Sequence, residues 1–415
     1  MKDIPEGCMK KRGILFTDRQ QDTLTIAGLS LQERMIRTLQ KAGISEIFLL
    51  PQQSEEAIAS LQSTSGPVVC LTTSLLLDPR LIEEFLDFPA ETTEGLLCVV
   101  PRREQPLFPL PAWSAPADDT VPLPLFLCPP PLLPLLVEAL QQGVQSFPAL
   151  FTYLQERTKI RPRPNEGRFW YWVRGPGDVK EAEDALFQTL VKETDSPITR
   201  LIARKISLRI SRLLMSTPIT PNQITLFCLG IGLIGAFLFT IPHPLAQIGG
   251  ALLFLLSTIL DGCDGEIARL KFLESRYGGW LDLLCDNVVH VGLFLGIAIG
   301  LYRQYQVPFY LLLGGLAVFG VVASVATVCY VTLRRKKGSG PFFTSVVNEE
   351  EAKRLKPGFH LLVKINDLLA RRDFSYLLVL LALLRKMDWF LWGGAIGSNL
   401  FFFSLLGIYR WGRAL

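Results

Sequence analysis

A chain of 415 residues suits about two domains. Its mean hydropathy of +0.32 averages two unlike parts, a mixed, proline-rich stretch to about residue 195 and long apolar runs beyond 219. A net charge of +4, with no basic stretch interleaved with aromatics, argues against a nucleic-acid partner. The eight cysteines form no C-x-x-C pair and no His/Cys cluster, so zinc and redox motifs are not indicated.

Residues 1–12 are charged and carry no apolar core, so no cleavable signal peptide is expected and the first domain is expected in the cytoplasm. Apolar strand patterns at 13–17, 46–50, 67–72 and 95–100 alternate with helical patterns at 31–42, 54–61 and 79–88. This alternation predicts an α/β domain with a largely parallel sheet. The proline-rich stretch 106–134 reads as a surface excursion; the pattern resumes at 168–174 and closes with a helix at 178–190.

Residues 198–215 predict a basic amphipathic helix. Ile198, Ile202, Ile206, Ile210 and Leu214 form an i, i+4 row, with Arg200, Arg204, Lys205, Arg209 and Arg212 displaced from it. Such a helix suits the headgroup plane of an anionic membrane. Thr220-Pro221-Asn222-Gln223 then opens the first of six expected spans, at about 221–241, 245–270, 276–303, 307–334, 374–386 and 389–410. The fifth is short and is expected to gain length from residues before Asp373. Lys and Arg concentrate in 271–277, in 334–372 and after 409, which places both termini on the cytoplasmic side. The expected domains are therefore 1–195, an interfacial helix at 196–218, and a membrane domain at 219–415.

Four carboxylates, Asp261, Asp264, Asp282 and Asp286, fall where apolar runs end, and such charge at a membrane boundary is costly without compensation. A helix turns about 100° per residue, so Asp261, Asp264, Gly265 and Ala268 share one face. Gly278, Asp282 and Asp286 form an i, i+4, i+8 row on the next helix. Antiparallel packing of the two helices through 271–277 would bring the rows together as a cage of hard oxygen ligands suited to Mg²⁺ or Mn²⁺. Glu266 falls off the shared face and reads as solvated. His290, one turn beyond Asp286, reads as facing the site or as a packed, hydrogen-bonded side chain.

The spacing D-x2-D-G-x2-A-R-x8-G-x3-D-x3-D, filled here from Asp261 to Asp286, resembles the CDP-alcohol phosphatidyltransferase family. The resemblance implies transfer of a substituted phosphate group from a CDP-activated alcohol, or CDP-diacylglycerol, to an acceptor hydroxyl, with release of CMP. It implies two divalent cations, Mg²⁺ or Mn²⁺, held by Asp261, Asp264, Asp282 and Asp286, with Asp286 also the general base. Arg269 would hold a nucleotide phosphate, and Gly265, Ala268 and Gly278 would let the cytidine approach backbone; plain helix packing also explains those three. Arg334, Arg335, Arg371 and Arg372 would meet a phosphate on the acceptor, although the positive-inside bias accounts for them equally. The family's habit is a homodimer.

Residues 26–47, 73–79 and 172–186 resemble segments of sugar nucleotidyltransferases. Where that family has a glycine-rich loop, this chain has Thr17–Thr23 without glycine, so its backbone cannot easily wrap phosphates. Ser74 and Arg174 stand where that family has metal-binding Asp residues. The reading is a nucleotidyltransferase-like fold without catalysis. Both halves together resemble the branch of bifunctional inositol-phosphate cytidylyltransferase/di-myo-inositol-phosphate-phosphate synthases, which implies CDP-inositol and inositol phosphate as substrates. CDP-diacylglycerol with a polar alcohol is an equal contender. Two alternatives stand beside this reading: a bifunctional enzyme whose first domain makes the CDP-alcohol from CTP, and a non-catalytic membrane transporter or partner.

Overall fold

The computed structural model describes residues 11–18, 21–87, 94–101, 120–191, 196–334, 357–370 and 373–411, and the chain divides into two compact units, Met1–Leu190 and Val191–Leu415.

In the first unit, β1 (Arg12–Phe16) is followed by the small hairpin β2 (Thr25–Ile26) and β3 (Leu29–Ser30). Next come α1 (Leu31–Lys41), β4 (Glu46–Leu50), α2 (Ser54–Gln62), β5 (Val68–Thr72), β6 (Leu75–Leu77) and α3 (Pro79–Leu86). The unit continues with β7 (Gly95–Pro101), β8 (Thr120–Cys128), α4 (Leu133–Gln141) and α5 (Phe147–Gln155). It ends with β9 (Ile160–Pro164), β10 (Trp170–Trp172) and α6 (Val179–Gln188). The Ser30 side chain caps α1 by accepting from the Glu33 amide, the N-terminal signal expected of Ser before an apolar periodic run.

Six strands form one sheet in the order β4-β1-β5-β8-β7-β9. Strand β1 lies parallel to β4 and β5, with Ile14 opposite both Phe48 and Cys70. Both faces are buried. Leu15, Val69 and Leu71 point into a core with Met35, Leu39 and Phe85, whereas Ile14, Val68 and Cys70 point into another with Leu61, Leu136 and Phe147. That is why these strands read as continuous apolar runs instead of alternating ones.

Two expectations need correction. The sheet is mixed: β8 runs antiparallel to both β5 and β7. The stretch 106–134 is also no simple surface excursion, because its part 120–128 is a central, almost wholly buried strand; residues 102–119 lie outside the described residues. Its prolines misled the reading. Pairing with β5 uses only Leu125 to Cys128, beyond Pro122 and Pro124, and the β7 register shifts between Leu97 and Val99, beside them. Prolines are tolerated where a ladder bond is not required. Helices α4 and α5 and edge strand β9 were likewise not anticipated.

The second unit begins with a π-type turn (Thr199–Ala203) and α7 (Arg204–Met215). Then come α8 (Pro221–Phe239), α9 (Pro244–Leu270), α10 (Arg276–Tyr305), α11 (Phe309–Arg334), α12 (Pro357–Ala370), α13 (Phe374–Leu383) and α14 (Met387–Trp411). Among the described residues, five helices (α8, α9, α10, α11 and α14) are long and apolar enough to cross a membrane. Helix α13, expected as a further span, has ten residues. At 1.5 Å per residue it reaches about half the hydrocarbon thickness. The segment before it forms a second helix, α12, with Arg371 and Arg372 outside the described residues.

Helix α8 is the common partner of α9 and α10. A Cβ at Gly296 or Gly300 of α10 would overlap the carbonyl oxygens of Ala236 and Phe239 on α8. Glycine is what allows this backbone approach.

The ring of Phe126 crosses the sheet so closely that a Cβ on Gly95 would strike it. Phe126→Ala is expected to destabilise the first unit by about 3–5 kcal/mol. The check is the denaturant midpoint at which the buried Cys128 thiol becomes reactive. An unchanged midpoint would remove this ring from the core.

Candidate functional site

Helix α9 ends in a Schellman turn: the Leu273 amide donates to the Ala268 carbonyl at 2.8 Å and the Phe272 amide to Arg269 at 3.4 Å, with Phe272 left-handed at φ 56°. Three residues later Ser275 caps α10, accepting from the Gly278 amide at 2.9 Å. This short reversal sets the Asp282 row opposite the Asp261 row. The two helices do not pack along one another as the sequence reading expected. Each packs mainly along α8, and the carboxylates face the space this leaves.

Carboxylate oxygens of Asp261, Asp264 and Asp282 lie within 4.8 Å of one another. Asp261 and Asp264 are only 7% and 8% exposed, and Asp282 is half-buried. Three acidic oxygen donors at this separation, two of them largely out of water, fit a hard divalent cation. Thr225 of α8 donates its hydroxyl to Asp264 Oδ2 and so fixes the direction of that carboxylate. Among the described residues no other group of three His, Cys, Asp or Glu side chains comes together in this way.

Asp286 stands outside the three-carboxylate group. With Asp261 it lines a cavity that continues between Ser257, Thr258, Phe254, His290 and Phe374. The His290 ring lies 5.9 Å from Phe254 and 5.6 Å from Phe374, so it both packs among aromatics and borders the cavity.

Arg269 folds back over Gly265: a Cβ there would lie 3.7 Å from Arg269 Nη1. Gly278 faces Asn222, whose Oδ1 would come 3.1 Å from a Cβ. Ala268 is half-buried on the same turn as Arg269. Arg334 ends α11, whereas Arg335, Arg371 and Arg372 lie outside the described residues. Sequence reasoning missed Thr225 and Asn222. Both sit within five residues of the Thr220 capping box, which was the available signal.

Glu266 is a correction. It is 0% exposed, not solvated. Arg204 Nη1 donates to its Oε1 at 2.9 Å and Ser207 Oγ to the same oxygen at 2.7 Å, while Ser211 Oγ donates to Oε2 at 2.6 Å. The buried face of α7 is therefore the row Ser207, Ser211 and Met215, and Ile202 and Ile206 of the isoleucine row are left exposed.

In the first unit, Gln21 and Asp22 reach residues just past β10 and β5, Arg174 and Thr73. The Gln21 amide donates to the Arg174 carbonyl at 2.9 Å, the Val173 amide to the Ser74 carbonyl at 2.8 Å, and the Trp172 indole to Ser74 Oγ at 3.2 Å. Ser74 and the backbone of Arg174 are thus neighbours. Burial pushes the Asp22 carboxyl above its ordinary value, partly offset by a hydrogen bond from Thr73.

Residues 218–348 match the family model described as CDP-alcohol phosphatidyltransferase. A bifunctional IPC transferase and DIPP synthase from Thermococcus kodakarensis is 35% identical over 206 residues, 49% of this chain and 44% of the relative. One of the same name from Rubrobacter xylanophilus is 27% identical over 322 residues, 68% of this chain and 73% of the relative, a stretch longer than the second unit alone. The chain spans under half the length of the first curated relatives it matches. Among solved structures, phosphatidylinositol phosphate synthase of Mycobacterium tuberculosis with CDP-DAG bound is 20% identical at a TM-score of 0.34, covering 49% of this chain and 93% of its own. The inositol-1-phosphate CTP transferase from T. maritima is 10% identical at a TM-score of 0.32, covering 43% and 95%.

Mn²⁺ is expected to raise the thermal unfolding midpoint of the purified protein, because a ligand held only by the folded state stabilises it. Asp264→Asn or Asp282→Asn is expected to abolish that shift. A shift of wild-type size in both variants would remove these carboxylates from any metal site.

Proposed function

We propose, from the premise that residues 218–348 are a CDP-alcohol phosphatidyltransferase domain, that this chain is a membrane-embedded transferase. It moves a phosphatidyl or phospho-alcohol group from a CDP-activated donor to an acceptor hydroxyl and releases CMP. The observation that carries the reading is the convergence of Asp261, Asp264 and Asp282 at the spacing of that family.

Asp261, Asp264, Asp282 and Asp286 would hold two divalent cations, Mg²⁺ or Mn²⁺, which neutralise the donor pyrophosphate. Arg269 offers a planar fork of donors to a nucleotide phosphate, and its position over Gly265 supports that role. Gly265, Ala268 and Gly278 leave room for the cytidine beside backbone. Asp286, at the cavity, takes the proton of the acceptor hydroxyl as its oxygen bonds to the donor's phosphorus. The bond from that phosphorus to the CMP oxygen breaks, and CMP leaves. Thr225 keeps Asp264 in place throughout. The acceptor phosphate, where one is present, would meet Arg334, Arg335, Arg371 and Arg372.

The domain division that suits this reading is a nucleotidyltransferase-like, inactive region at 1–195, an interfacial helix at 196–218 and a transferase domain at 219–415. α13 would complete six membrane helices, with the site and both termini on the cytoplasmic side of the cytoplasmic membrane, and the protein would act as a homodimer. Helix α7 and the turn before it would lie in the headgroup plane, a reading supported by exposed Leu201 and Ile202 of the turn and Ile206 and Leu213 of the helix, beside Arg200, Lys205 and Arg209.

A bifunctional reading, in which the first unit makes the CDP-alcohol from CTP, is favoured by the Rubrobacter alignment running beyond the second unit. Ser74, Arg174 and the glycine-free Thr17–Thr23 segment speak against it.

The test supplies CDP-diacylglycerol or CDP-inositol with Mg²⁺ or Mn²⁺ and a panel of polar alcohols, inositol phosphate included. Metal-dependent CMP release, lost by about a hundredfold or more in Asp286→Asn, is expected. Release that persists in that variant would take Asp286 out of the role, and pyrophosphate release from CTP and inositol phosphate would establish the bifunctional reading.

A further inference from the structure

The transfer reading leaves one buried charge on the site-bearing helix without a task. Glu266 lies two residues from Asp264, about 200° around α9, and so on the side away from the ligand carboxylates. It receives a guanidinium N–H and two hydroxyls from Arg204, Ser207 and Ser211, which stand on successive turns of one face of α7. Nearby on α9, a Cβ on Gly262 would lie 3.8 Å from Ser207 Cβ, and Cys263 Sγ approaches the Ser207 carbonyl at 3.5 Å.

The rest of this segment is tied down by the same kind of contact. Asp373 Oδ1 accepts from Ser196 Oγ at 2.6 Å and from Thr199 Oγ1 at 3.1 Å. Lys271 Nζ, just past the end of α9, donates to the Thr217 carbonyl at 2.9 Å. The segment 196–217 is therefore held before, within and after α7 by side chains from elsewhere in the second unit.

A buried ion pair is a poor way to gain stability, since apolar packing of equal volume does as well or better. What three directed donors on one carboxylate do provide is a fixed rotation and register of two helices. Thr225 holds Asp264 from one side of α9 and the α7 donors hold Glu266 from the other. We propose that Glu266 is a positioning residue of the transfer site: its grip on Arg204, Ser207 and Ser211 fixes the last turns of α9 and hence how Asp264 and Arg269 are presented. This rests on the transferase reading through the residues it positions.

The experiment uses the full chain in nanodiscs with a nitroxide at Leu213→Cys, a position 74% exposed on α7. Glu266→Gln, isosteric but uncharged, is expected to elute like the parent yet give a more mobile nitroxide. The Mn²⁺ concentration for a half-maximal thermal shift should rise about threefold, and the KM for the CDP donor about fivefold or more, with kcat changed under about twofold. Arg204→Gln should give the same changes, and the double variant should be no worse than either single one, since partners acting as a unit are not additive. A wild-type nitroxide spectrum in folded Glu266→Gln, unchanged Mn²⁺ and KM values, or additive effects would overturn the proposal. Should Glu266→Gln fail to fold, Ser207→Ala and Ser211→Ala, each removing one hydroxyl, carry the same three readouts. Absence of CMP release from wild-type protein with either donor would sink the transferase reading alone; the nitroxide and Mn²⁺ readouts would still decide the grip of Glu266.

Discussion

Asp261, Asp264 and Glu266 occupy the last three turns of a helix that carries no charge from Leu245 to Leu260, and the second unit is arranged around compensating that charge. Carboxylates out of water persist only when donors or cations meet them. Glu266 is met by α7 and Asp264 by Thr225 of α8. Carboxylate oxygens of Asp261, Asp264 and Asp282 meet between α9 and α10, within 4.8 Å of one another. A cation at that meeting point would offset their mutual repulsion, as the proposed chemistry requires. The glycines of α10 serve the same end from a distance. By seating α10 on the Ala236 and Phe239 carbonyls they keep it against α8, so the gap to α9 stays open.

Much of this was legible because spacing on a helix is rigid. Asp261 and Asp264 share a face whatever surrounds them, and the short polar link to Ser275 leaves the next helix little choice but to return. What the sequence could not convey was which element fills the third side. Glu266 reads as solvated from its own helix alone, because the donors that bury it belong to α7. The row Arg204, Ser207 and Ser211, on the face of α7 away from its isoleucines, carried the missing information, since a serine pair one turn apart beside an arginine suits a buried acid. The separation of α9 from α10 was also hidden, because it depends on where glycines let α8 approach each of them.

In the first unit, hydrophobic runs identified the parallel strands β1, β4 and β5 and the helices between them. They failed at β8, where Pro122 and Pro124 imitate a loop. Both prolines fall beyond the residues that pair with β5; Pro124 lies in the interruption of the β7 ladder and Pro122 at its resumption opposite Val99. Past the parallel strands, side chains bond across the strand ends. Gln21 and Trp172 occupy the strand ends with bonds to the Arg174 carbonyl and the Ser74 hydroxyl.

In the proposed transfer, carboxylates from two helices form one centre for two cations and a CDP-linked substrate. The most direct measurement is electron paramagnetic resonance of Mn²⁺ added to the purified protein with a CDP-activated lipid. The account predicts two bound ions per chain whose spectra are broadened by mutual coupling at close separation. A spectrum of isolated, uncoupled Mn²⁺, or no binding at all by folded protein, would contradict it.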